Sequence, residues 1–76
     1  MHNRNSHKAA AEGNQFAKEH IQQVSLSKAD VFDCFASNME AADNCETQGK
    51  RYMAAYYRGA AEAYRELSRQ RGYDWY

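Results

Sequence analysis

Apolar and small residues recur along this chain at helical spacing. With an advance of about 100° per residue, Ala9, Ala10, Gly13, Phe16, Ala17, His20, Ile21 and Val24 share one arc of about 140°. Asn14, Lys18, Glu19, Gln22 and Gln23 fall outside it. The pattern predicts an amphipathic helix over about residues 5–24. Gly13, near the centre of the arc, lets another helix approach closely, at a cost of about 1 kcal/mol in helix propensity relative to alanine.

The stretch LSKADV, residues 26–31, carries a helix start in four residues. Ser27 is an N-cap, Asp30 three positions on completes a short capping box, and Leu26 with Val31 forms a hydrophobic staple. A second helix over about residues 28–43 then presents Val31, Phe32, Phe35, Ala36, Met39 and Ala42 along one side. Asp43, Asn44, Thr47 and Gly49 cluster as turn formers and predict its end, although one bent helix running through this stretch is the alternative.

A third helix is predicted over about residues 48–71, closed by Gly72 as the residue after the cap and by Tyr73 packing back. Leu67, Ala60, Met53 and Ala63 lie in the middle of its apolar arc. Tyr52 and Tyr56 flank that arc on one side, Tyr57 and Tyr64 on the other. Small residues extend beyond the tyrosines, with Ala55, Gly59 and Ala63 on one strip and Ala54 and Ala61 on the opposite flank. So wide a low-polarity surface needs two neighbours. Either both are helices of the same chain, or one strip meets the second helix and the other meets a second chain. The aromatic tail, residues 73–76, is too short for an element and is expected to pack on something.

Composition sharpens this picture. The chain has 76 residues, room for one domain and one core. Thirteen alanines and six tyrosines dominate its hydrophobic residues, and Ile21, Val24, Leu26, Val31 and Leu67 are its branched aliphatics. Alanine without proline favours helix. A core this thin is commonly completed by disulfides, a metal or another subunit. The expected fold is all-α: a small three-helix bundle, or a helical hairpin with an extra N-terminal helix, completed by self-association, with a dimer as the first expectation.

Cys34 and Cys45 are eleven residues apart on one predicted helix, a rise of about 16 Å, whereas a disulfide needs Cα atoms within about 7 Å. Free thiols, and the absence of any apolar run resembling a secretory leader or a membrane span, lead to the expectation of a cytoplasmic protein away from membranes. His2, His7 and His20 lack metal-ligand spacing, and no metal or other cofactor is expected. His20 falls inside the apolar arc, where a core histidine satisfied by a hydrogen bond is the plainer reading. Ser25 and Ser27 beside His20 do not make a nucleophile and base, because capping accounts for Ser27 and nothing orients the imidazole. An enzyme is not expected.

Net charge is zero but segregated. Five acids against Lys28 occupy residues 27–46, and six bases against Glu62 and Glu66 occupy residues 49–72. Two packed helices of opposite sign explain this without a ligand. The functional expectation is a protein-binding module, a small inhibitor or regulator that occludes or bridges a partner protein. Its anchors would be Tyr52, Tyr56, Tyr57 and Tyr64 with Arg58 and Arg65, since tyrosine and arginine carry much interface energy. The alternative is a phosphate or nucleic-acid binder using the stripe of Arg51, Arg58, Arg65 and Arg69, although nucleic-acid domains are usually basic overall.

Overall fold

The computed structural model describes residues 3–73, with side chains from Ser6 onward. His2 and the tail residues 74–76 lie outside the described residues. The described residues are all-α and form three helices: α1 (Asn3–Gln23), α2 (Lys28–Thr47) and α3 (Arg51–Gln70).

The start of α2 is built locally. The Ser27 side chain accepts from the Asp30 N–H and the Asp30 carboxylate accepts from the Ser27 N–H, both at 3.1 Å. Val31 is fully buried and Leu26 packs against the same cluster, as the staple requires. The end of α3 is equally local. Tyr73 N–H donates to Ser68 C=O (2.9 Å) and Gly72 N–H to Arg69 C=O (3.1 Å), the two bonds of a Schellman closure, and Tyr73 folds back onto the core.

The junction between α2 and α3 differs from the sequence expectation. α2 continues to Thr47, and α3 starts at Arg51. The Thr47 hydroxyl donates to the Asp43 carbonyl one turn back (3.0 Å), so a turn-forming residue type is accommodated inside the helix. Gly49, at φ 78°, ends α2 by the same device as Gly72, with Lys50 N–H donating to Cys45 C=O (2.8 Å). A left-handed glycine separates α2 from α3, and the bent continuous helix is excluded.

α3 is the central helix. α1 and α2 pack on different flanks of it, and among the described residues their backbones approach α3 but not each other. The cross-links Glu12–Tyr52, Phe16–Tyr56 and His20–Tyr64 step forward together, so α1 runs parallel to α3. The seam between them is set by two glycines. A Cβ on Gly13 would sit 2.8 Å from the Tyr56 carbonyl carbon, and one on Gly59 would sit 2.6 Å from the Ala10 carbonyl carbon. Asn14 spans the seam, its amide donating to the Gly59 carbonyl (3.0 Å). The strip of Gly59 and Ala63 is thus covered by α1, and it gives no support for a second chain at that flank.

The core is thin, as composition demands. Its buried hydrophobic residues are Ala9, Ala17, Val31, Ala42, Ala54, Ala60, Ala61, Ala63 and Tyr64. Ile21, Leu26, Cys34, Phe35, Leu67 and Tyr73 close around Ala17, Val31, Ala60, Ala63 and Tyr64, towards the C-terminal end of α3. Four positions that the sequence places in apolar arcs are exposed: Phe16 (61%), Phe32 (44%), Val24 (43%) and Met53 (37%). α1 and α2 each lay their backbone against α3 alone among the described residues, so the contact face of each is narrower than its apolar arc.

Candidate functional site

The four candidate tyrosines divide. Tyr64 is buried at the junction of all three helices, with its hydroxyl 2.7 Å from His20 Nδ1 and Cys34 packed against the same cluster. Burial pushes its hydroxyl up to about 12, and burial likewise raises the Cys34 thiol above its ordinary value, which disfavours the reactive thiolate. His20 is thereby a hydrogen-bonded, half-buried core histidine. Tyr64 belongs to the core and presents no docking surface.

Tyr52, Tyr56 and Tyr57 lie at the open, N-terminal half of α3. Tyr52 is 42% exposed and its hydroxyl donates to Glu12 Oε1 at 2.6 Å, a bond that raises the phenol above its usual value. Tyr56 packs against Phe16 with ring centroids 6.4 Å apart, and Tyr57 meets Tyr56 edge-on at 5.7 Å. Met53, one turn from both Tyr56 and Tyr57, is 37% exposed. Phe16, Tyr52, Met53, Tyr56 and Tyr57 therefore form one aromatic patch drawn from two helices. Sequence reasoning missed Phe16 and Met53 as surface residues because both fall within apolar arcs. Their exposure depends on how the helices pack and is not set by the local pattern.

Three of the four stripe arginines, Arg58, Arg65 and Arg69, are paired within the chain. Arg58 Nη2 reaches Glu46 Oε1 at 2.8 Å and Asp43 Oδ1 at 3.5 Å, joining α3 to α2. That bond raises the guanidinium and holds the Glu46 carboxyl below its ordinary value. Arg65 pairs with Glu62 (3.4 Å) and Arg69 with Glu66 (2.7 Å), each one turn away on α3. Arg51 makes no ion pair among the described residues and stands beside a cleft of about 660 Å³, where α1 and α2 diverge above α3. Ala10, Ala54 and Ala55 contribute to its lining, along with His7, Glu46 and Arg58. By helical advance, Ala55 and Arg58 lie roughly 160° around α3 from Met53 and Tyr56 respectively, so cleft and aromatic patch open on opposite sides.

Among the described residues no cluster of three or more His, Cys, Asp or Glu side chains could hold a metal, and no helix is long and apolar enough to cross a membrane. Comparison with protein families, with characterised proteins and with solved structures finds nothing that matches this chain.

Proposed function

We propose that the chain is a non-enzymatic binding module that docks onto another protein through its aromatic patch. It would act by occlusion or bridging, with no chemistry of its own. The carrying observation is the exposure of Phe16, Tyr52 and Met53 beside Tyr56 and Tyr57 on a protein whose buried hydrophobic side chains are nearly all alanine. Small proteins seldom leave their large apolar side chains clustered at the surface unless something covers them. Aromatic rings suit that role, because they offer large contact area at small entropic cost. Self-association, as a dimer, belongs to the same reading, since a core this thin gains most from a second subunit.

The phosphate-binding alternative has less to stand on, because Arg58, Arg65 and Arg69 already pair with carboxylates. Capture with the full chain as bait separates the readings. A partner protein retained by wild type and lost with Phe16→Asp or Met53→Asp, both exposed and outside the core, supports docking by the patch. Capture unchanged by either substitution, but abolished by Arg58→Ala with Arg65→Ala and by added salt, would overturn it in favour of the arginine stripe.

A further inference from the structure

One side of α2 carries a pattern that is symmetric along the helix. At about 100° per residue, Lys28, Phe32, Ala36, Met39 and Asp43 fall within about 80° of arc. Phe32 is 44% exposed, Ala36 and Met39 are half-buried, and Lys28 and Asp43 are exposed. Phe35, on the edge of the same stripe, packs against the buried cluster. Positions 32 and 39 lie equally far from a centre between Phe35 and Ala36, and so do positions 28 and 43. The inner pair is apolar, and the outer pair is of opposite charge.

A surface of this kind is complementary to itself. Across a two-fold axis two copies of one helix run antiparallel, and each residue meets the one equally far from the centre on the other copy. With the axis between Phe35 and Ala36, Phe32 of each copy meets Met39 of the other, and Lys28 meets Asp43 at both ends. A parallel pairing would instead set Lys28 against Lys28 and Asp43 against Asp43. Lys28 Nζ stands 5.7 Å from the centroid of the Tyr73 ring. Asp43 reaches Arg58 only at 3.5 Å, while Glu46 holds the same guanidinium at 2.8 Å. Arg58 lies on the side of α3 away from the aromatic patch, so stripe and patch are separate surfaces.

We infer that α2 is the seat of self-association: a second copy covers the stripe with its own α2, antiparallel, packing Phe32 on Met39 and pairing Lys28 with Asp43 at both ends. The contact is closed by its symmetry and leaves no half of the stripe open. The inference rests on the self-association part of the proposed function and is independent of the aromatic patch.

The test is the solution mass of the full chain by sedimentation equilibrium, from about 10 μM to about 1 mM, the range in which modest contacts are read. Wild type is compared with Phe32→Asp, Lys28→Glu, Asp43→Lys and the chain carrying both charge reversals. All three positions are exposed, and an acid at the start of α2 and a base near its end both suit the helix dipole, so the fold is kept and checked by circular dichroism. The expected result is a wild-type mass that rises above 8.8 kDa with concentration and stays there in Phe32→Asp. Each single reversal should weaken association roughly fivefold or more, since attraction becomes repulsion at both ends. The double reversal should recover it, because opposite charges meet again. Single reversals that weaken association with no recovery in the double would overturn the antiparallel pairing. Wild-type association that Phe32→Asp and both single reversals retain would overturn this seat while leaving self-association standing. A wild-type mass fixed at 8.8 kDa throughout would overturn both.

Discussion

Gly59→Ala decides whether the α1–α3 seam holds the fold together. In an exposed helix interior the change would stabilise by about 1 kcal/mol, because alanine is the better helix former. At this seam the added methyl would lie 2.6 Å from the Ala10 carbonyl carbon and 2.8 Å from its Cα. Carbon atoms rest at about 3.5 Å or more, so the backbones must part by roughly 1 Å. No side chain can swing aside, since the obstacle is the main chain of α1. Parting the helices also stretches the Asn14–Gly59 hydrogen bond and opens the close contacts around Gly13. Overpacking of this kind typically costs about 1–3 kcal/mol, and with rigid backbone on both sides the upper end applies. After subtracting the propensity gain, a net loss of about 2 kcal/mol is expected. For a domain of this size that lowers the melting temperature by roughly 8–16 °C. Thermal and urea unfolding followed by circular dichroism at 222 nm read the effect directly. An unchanged or raised melting temperature would mean that α1 does not pack across Gly59, and the central position of α3 would have to be abandoned.

Two further outcomes follow from the buried polar groups. Tyr64→Phe removes the bond to His20 and should cost about 1 kcal/mol at neutral pH. Because burial raises the folded Tyr64 hydroxyl from 10 to about 12, its contribution is complete below pH 10 and is lost as pH rises towards 12. Unfolding curves across that window should decline less in Tyr64→Phe than in wild type, and equal declines would contradict the burial of this phenol. Ser68 is fully enclosed and its hydroxyl has no hydrogen-bond partner among the described residues. Ser68→Ala should raise stability by about 0.5–1 kcal/mol in urea titration, whereas a loss would reveal a bond that the hydroxyl makes in solution.

Much of this protein was legible from residues close together in sequence. Ser27 with Asp30, and Leu26 with Val31, specify the start of α2 because every contact in a capping box and staple lies within five residues. Gly72 with Tyr73 specifies the end of α3 for the same reason. Gly49 offered an equal signal. Its meaning was obscured by Asn44 and Thr47, which favour turns on average but sit in the last turn of α2 here, where Thr47 bonds back to Asp43. The breadth of low polarity on α3 correctly required two neighbours, because a helix can bury only the side chains that something covers.

The sequence by itself determined that the chain is helical, that its core is alanine-rich, and that its last helix is flanked twice. Only the tertiary structure decided which flank each helix takes. Gly13 and Gly59 are 46 residues apart, and that they share one seam depends on the register of α1 against α3. That register then sorts side chains of the same type into opposite roles. Tyr64 is enclosed by three helices, whereas Tyr52 and Phe16 stand at the edge of two. It also leaves α1 and α2 apart, opening the cleft beside Arg51. Local propensity acts over a turn or two, whereas exposure is a property of which surfaces meet, so the candidate sites became visible only once the helices were packed.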